Sequence, residues 1–186
     1  PRSRRRRSRR GDQPPEVILL CHGDREYLRA PGEELQTDLG VLTVPDDVEG
    51  GETLETHLGT EFVVRELRGP DLFNHLERTG APMMPRDIGL VVGHTGAAAD
   101  DRVLDAGTGT GVLSAYLGRL GASVTTYEQS AEFAEVARQN MQTAGVTERV
   151  DVRTGDIIDD LATLTAGEPF DLLTLDTEDA PEIVAS

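Results

Sequence analysis

Val103-Leu-Asp-Ala-Gly-Thr-Gly-Thr-Gly111 decides how this chain is read. An apolar run ends in an acid, Asp105, turns through glycines at alternate positions, and opens into Val112-Leu113. That order describes a strand, a loop whose missing Cβ atoms let a ligand come close, and a helix N-terminus. A turn of this kind at the carboxyl edge of a parallel sheet binds a nucleoside-type cofactor. Gly107, Thr108, Gly109, Thr110 and Gly111 are therefore candidate contacts. The dinucleotide fingerprint needs G-x-G-x-x-G, whereas here Val112 occupies the place of its third glycine.

Asp105 narrows the ligand. A carboxylate beside this turn suits a cofactor bearing an ammonium and a sulfonium better than one bearing a pyrophosphate. S-adenosyl-L-methionine is such a molecule, and D-A-G-T-G-T-G resembles motif I of class I methyltransferases. The following segments agree. Ala122-Ser-Val-Thr-Thr-Tyr-Glu128 reads as a second strand ending in an acid, 21 residues after Gly107. A carboxylate at that tip can accept from both ribose hydroxyls. Arg149-Val-Asp-Val-Arg-Thr-Gly-Asp156 and Pro169-Phe-Asp-Leu-Leu-Thr-Leu-Asp176 repeat the pattern. The resemblance implies that Asp156 takes the adenine amino group and that Ile157 covers the ring face.

Composition sets the class. The chain has 186 residues, enough for one domain plus a small appendage. All 18 basic residues are arginine, and seven fall within the first ten positions, so residues 11–186 set 11 arginines against all 34 acids. An acid excess without lysine resembles haloarchaeal proteins; molar salt shortens the Debye length to about 3 Å and screens the self-repulsion. Counterion release is weak at such salt, so acidity does not exclude RNA, which is then bound by shape, stacking and hydrogen bonds. Cys21 is the lone cysteine, which suits a reducing cytoplasm and, at the end of Val17-Ile-Leu-Leu20, reads as a buried structural thiol. His22, His57, His75 and His94 are scattered, and no spacing suggests a metal site. No apolar run approaches the roughly 20 residues of a membrane span.

Four regions follow. Residues 1–15 read as a disordered basic tail. Residues 16–68 read as a small β domain with strands at Glu16–Cys21, Glu26–Arg29, Gly40–Val44, Glu52–Leu58 and Glu61–Leu67 between Pro/Gly/Asp turns. Residues 69–96 form a helical bridge, Asp71–Glu77 and Pro85–His94. Residues 97–186 alternate strand and helix, which predicts a parallel sheet. Leu113, Tyr116, Leu117 and Leu120 mark one helix face; Ser130 caps the next helix, whose stripe is Phe133, Val136, Ala137, Met141 and Ala144. The fold class expected is α/β, a Rossmann-like class I methyltransferase sheet preceded by a small β domain.

Pro85-Arg86-Asp87-Ile88-Gly89, directly before motif I, sharpens the resemblance. With the β domain ahead of it, the chain resembles the archaeal and bacterial tRNA (adenine-1-)methyltransferases that form 1-methyladenosine in the T-loop, over roughly residues 16–186. The resemblance implies a tRNA substrate, a homotetramer and Asp176 as the catalytic acid. Two positions depart from it: Ala81 stands where the family often has a Gln near the cofactor, and Leu175-Asp-Thr-Glu-Asp-Ala-Pro181 delays the proline of L-D-x-P, with Asp179 a competitor for the acid. Only four of the family's seven strands are readable, so the chain is expected to be a C-terminally truncated piece that binds cofactor weakly without turnover. Alternatives are a class I methyltransferase acting on a small molecule or protein, and a non-catalytic RNA-binding partner subunit. A nicotinamide oxidoreductase is disfavoured by Asp105 and Val112.

Overall fold

A computed structural model describes residues 17–177 and 180–185, so the basic tail and Asp179 lie outside the described residues. The first region is built from β1 (Ile18–His22), β2 (Arg25–Arg29), β3 (Glu34–Thr37), β4 (Gly40–Thr43), β5 (Thr53–Glu55) and β6 (Glu61–Glu66). Four of these form an antiparallel sheet in the order β2-β1-β6-β5, and β3 and β4 pair as a hairpin. The continuous apolar run in β1 has a physical cause. Side chains alternate across a strand, and here both faces are covered. Ile18 and Leu20 join Leu35, Val44 and Phe62 in the core of the β domain, while Leu19 joins the core shared with the helices.

Two expectations in this region need correction. The strand β3 is absent from the sequence reading, because Glu34-Leu-Gln-Thr37 buries only Leu35 and looks like a polar turn. The strand expected over Glu52–Leu58 stops at Glu55, since Thr56 turns the chain instead. Its hydroxyl donates to the Leu39 carbonyl (2.8 Å) and accepts from the Thr60 amide (3.2 Å). Leu58 is left exposed at the turn. Cys21 is a free thiol, only partly buried.

The bridge consists of α1 (Gly69–His75) and α2 (Pro85–Thr95). Proline opens α2 and Gly96 closes it in the left-handed conformation, the usual asymmetry of helix ends. Gly69 lies against the Tyr116 ring, where a Cβ would be 2.5 Å from the nearest ring carbon, so α1 docks on the next domain by close approach.

The remaining elements are β7 (Arg102–Ala106), α3 (Val112–Leu120), β8 (Ser123–Glu128), α4 (Ala131–Ala144), β9 (Val150–Thr154), α5 (Ile157–Ala166), β10 (Leu172–Leu175) and α6 (Ala180–Ala185). The sheet is parallel, in the order β10-β7-β8-β9. The chain runs from β7 to β8 and β9 on one side and returns to β10 on the other. The end of β7 is thus a topological switch point, where such sheets open a crevice. Val103, Val124 and Val152 face α3, α4 and the bridge; Leu104, Ala106 and Tyr127 face Ile157 of α5 and Ile183 of α6. Ser130 caps α4 by accepting from the Phe133 amide.

The expected faces of α3 and α4 are partly wrong. Leu120 is exposed and Tyr116 only partly buried, while Ala115 and Gly118 are buried instead. A Cβ on Gly118 would lie 2.7 Å from Val150, so the helix is drawn onto the sheet at its small residues. On α4 the closest contacts are likewise Ala134, Ala137 and Ala144, with Phe133 and Val136 at the margin.

Asp105 joins these layers. Its buried carboxylate accepts from Ser114 of α3 (2.8 Å), Thr126 of β8 (2.6 Å) and Thr174 of β10 (2.6 Å). Burial pushes its pKa above the ordinary 3.8, the three hydroxyls oppose that, and the charge of Asp176 adds to it. A raised carboxyl pKa makes the folded chain hold its proton longer than the unfolded chain does. Its contribution to stability is therefore complete below 3.8 and is lost as pH rises through the raised value. Denaturant melts of wild type and Asp105→Asn should accordingly diverge in favour of the amide as pH rises above the ordinary carboxyl value of 3.8. A difference constant with pH would rule this out.

Candidate cofactor and active site

The carboxyl ends of β7, β8 and β9 enclose a cleft that brings together Gly107, Glu128, Asp156, Ile157 and Asp176. These residues are distant in sequence and meet because each ends, or directly follows, a parallel strand. Asp105 does not line this cleft. It lies in a neighbouring recess with Met83, Val91, Leu113 and Thr174, and Asp176 borders both.

The three motif glycines have different reasons to be glycine. All have positive φ: 91° at Gly107, 52° at Gly109 and 79° at Gly111. A Cβ on Gly107 would collide with the carbonyl oxygen of Asp176, and one on Gly111 would meet the Met141 methyl at 2.5 Å. Both positions are closed by the protein itself. At Gly109 the nearest atom is the Gly107 carbonyl, 3.9 Å away, so this glycine alone borders open space. The threonines between them turn inward. Thr108 is buried with its hydroxyl 2.6 Å from that of Thr126. Thr110 is buried with its hydroxyl accepting from the Thr79 amide at 3.4 Å. Their hydroxyls thus serve the loop, not the cleft.

Glu128 is held from two sides. One carboxylate oxygen accepts from the Gly109 amide (2.9 Å) and the other from the Ser130 amide (3.0 Å). The carboxylate is thereby fixed at the strand tip with lone pairs to spare. Asp156 caps α5, accepting from the Ile158 amide at 2.9 Å, and its second oxygen accepts from Gln129 at 3.0 Å. Ile157 is buried and supplies an apolar wall.

Asp176 is exposed. Its amide donates to the Ala106 carbonyl (2.9 Å), so its backbone continues the β10–β7 pairing. Among the described residues its carboxylate accepts no hydrogen bond, and the turn leading into α6 is closed by Ala180 donating to the Thr177 carbonyl.

Sequence reading missed two residues. Asn140, which is buried, accepts from the Glu77 amide (3.0 Å) and donates to the carbonyls of Glu77 and Thr110 (2.8 Å each). It ties the bridge to the glycine loop. A polar residue next to Met141 in the apolar stripe of α4 was the available signal. Gln129 sits beside Glu128 and had none.

The arrangement fits S-adenosylmethionine. No arginine among the described residues lines the cleft to receive a pyrophosphate, whereas three carboxylates stand around it. The cleft offers a cationic nucleoside carboxylate acceptors and an apolar wall. Among the described residues no group of His, Cys, Asp and Glu could hold a metal ion, and no helix is long and apolar enough to cross a membrane.

Known proteins point the same way. A family model described as a methyltransferase domain matches residues 103–181. The tRNA (adenine(57)-N(1)/adenine(58)-N(1))-methyltransferase of Methanocaldococcus jannaschii is 35% identical over 137 residues, covering 72% of this chain and 48% of that protein. The catechol O-methyltransferase of Mycobacterium tuberculosis is 46% identical over 87 residues, covering 45% of this chain and 39% of that protein. The chain thus spans less than half the length of either relative. Among solved structures, an S-adenosylmethionine-dependent O-methyltransferase from Thermotoga maritima superposes with a TM-score of 0.70 at 26% identity, covering 92% of this chain and 66% of that one. The sheet order, the acidic cleft and these likenesses agree: the chain has the fold of the class I methyltransferases, whose cofactor is S-adenosyl-L-methionine.

Proposed function

We propose that the chain is the cofactor-binding part of a tRNA (adenine-N1-)methyltransferase that forms 1-methyladenosine in the T-loop. The observation that carries this reading is the extent of the match to the Methanocaldococcus jannaschii enzyme. Its 137 residues exceed what lies between Arg102 and Ser186, so the likeness includes part of the β domain or bridge. The match to the catechol enzyme spans only 87 residues. The same resemblance supports a homotetramer of the whole protein, a cytoplasmic setting and, with the arginine-only acidic composition, a halophilic archaeal source.

When bound, S-adenosylmethionine supplies an electrophilic methyl group on a sulfonium. The residues of the chain hold and orient. Glu128 accepts from the ribose diol, Asp156 accepts from the adenine amino group, Ile157 covers the ring, and Gly109 gives the loop its close approach. Asp105, Thr108 and Thr110 keep that loop in shape, and Gly107 and Gly111 let it pack against Asp176 and Met141. Asp176 acts on the substrate base. Adenine nitrogen 1 carries a lone pair, so no proton has to leave before attack, and alkylation makes the ring cationic. A carboxylate accepting from the exocyclic amino group orients the base and stabilises that charge. The base reaches the cleft by leaving its stack, as in other base-modifying enzymes.

A second reading, O-methylation of a small molecule, is favoured by the Thermotoga maritima superposition over 92% of the chain.

Calorimetry with the 186-residue protein should show binding of S-adenosylmethionine and none of NAD. Glu128→Ala should weaken that binding by about tenfold or more, the loss expected for hydrogen bonds to a charged acceptor. Heat from NAD alone would exclude the cofactor assignment.

The glycines should separate. Gly109→Ala should weaken cofactor binding with a stability loss of about 1 kcal/mol from its positive φ. Gly107→Ala and Gly111→Ala should add the cost of overpacking, about 1–3 kcal/mol more. Equal melting losses for all three would contradict the assignment of open space to Gly109.

Protein from the complete reading frame should create a primer-extension stop at a T-loop adenosine in tRNA. Asp176→Asn should lower kcat by about a hundredfold while leaving cofactor affinity unchanged. Methylation of catechols with unmodified tRNA would favour the second reading.

A further inference from the structure

We infer that Gln129 is a positioning residue that makes the site selective for the 6-amino group of the cofactor's base, acting through Asp156. This rests on the cofactor reading above and adds a residue to it.

The geometry is a short chain of contacts at one end of the cleft. Gln129 and Asp156 both line it, at the tips of adjacent strands held together by the Gly155 amide donating to the Glu128 carbonyl (2.9 Å). The Gln129 side-chain amide donates to one oxygen of Asp156 (3.0 Å), and the Ile158 backbone amide donates to the other (2.9 Å). An amide oxygen cannot face a carboxylate, so the orientation of Gln129 is forced. With one donor on each oxygen, the Asp156 side chain cannot rotate about its last bond without breaking both contacts. Its remaining lone pairs are acceptors in a fixed place.

The chemical consequence is selectivity. A fixed acceptor rewards a base that donates there and leaves an unpaired charge against a base that does not. The α5 cap alone fixes one oxygen; Gln129 fixes the second. Glu128 and Gln129, consecutive at one strand tip, thus serve different ends of the nucleoside. Glu128 is aimed back at the glycine loop and the diol, Gln129 across to the base.

The test compares S-adenosylhomocysteine with its 6-deamino analogue, which lacks only the amino group, by calorimetry on the 186-residue protein. Wild type should prefer S-adenosylhomocysteine by about tenfold or more. Gln129→Met keeps the length and apolar stem of the side chain but removes the donor. It should cut that preference several-fold, by weakening S-adenosylhomocysteine while leaving the analogue nearly unchanged. Gln129→Lys restores a donor and should restore most of the preference. Gln129 is exposed, and equal melting temperatures verify folding. If Gln129→Met weakens both ligands equally or neither, the inference is overturned while the cofactor assignment stands. If wild type binds neither ligand, both fail together.

Discussion

The carboxylate of Asp105 is the constraint on which the rest of this structure depends. A buried anion is tolerated only where donors surround it, and here they come from three other elements: Ser114 of α3, Thr126 of β8 and Thr174 of β10. The register places Thr126 and Thr174 directly beside Asp105 in the neighbouring strands. With Asp105 ionised, the single hydroxyl proton of Thr126 goes to its carboxylate, and the 2.6 Å contact between Thr126 and Thr108 then has Thr108 as the donor. The glycine loop is therefore anchored to the same anion as the sheet. The tips of β8 and β10, which carry Glu128 and Asp176, are held in register with it.

In the sequence Asp105 reads as a partner for a cation; in the fold its carboxylate lies in the recess beside the cleft and also holds three hydroxyls. The glycines divide in a similar way. Gly107 makes room for the backbone of Asp176, Gly111 makes room for Met141, and Gly109 meets no atom closer than the Gly107 carbonyl at 3.9 Å. A motif that looks like one device for binding is two packing solutions around one opening. Asn140 adds a clamp from the other side, since its amide binds Glu77 and Thr110 at once.

Much of this was legible in the chain, for identifiable reasons. Alternation and acidic tips located β7, β8, β9 and β10, and the cap Ser130 marked the start of α4, because those signals are local. What escaped depends on partners far away in sequence. Ser114, Thr174 and Asn140 look like ordinary helix or strand residues until the fold brings Asp105 or Glu77 to them. Gln129 shows its role only when β9 places Asp156 beside it. The face of α3 was misjudged because close packing is set by Ala115 and Gly118, and small residues carry little hydropathy. β3 escaped because a short hairpin strand with one buried leucine resembles a turn.

Charge bears on how such a molecule could recognise RNA. Ten of the 11 arginines after residue 10 meet an acid or a backbone carbonyl. Arg65 joins Glu26 and Asp71, Arg153 joins Asp151, Arg119 reaches the carbonyls of Leu67 and Ala144, and Arg149 reaches that of Gly121. Arg25, Arg86, Arg102 and Arg138 meet acids, and Arg29 and Arg78 meet carbonyls. These cations are paired one by one across the fold rather than gathered into an unpaired basic face. A polyanion approaching the described residues meets acids first, including the three around the cleft. Affinity for an RNA substrate there has to come from stacking and hydrogen bonding at the extruded base, not from counterion release. Those contacts persist in salt that abolishes phosphate steering. On the function proposed above, the pairing of arginine with acid and the part given to Asp176 in recognising the base are two sides of one constraint.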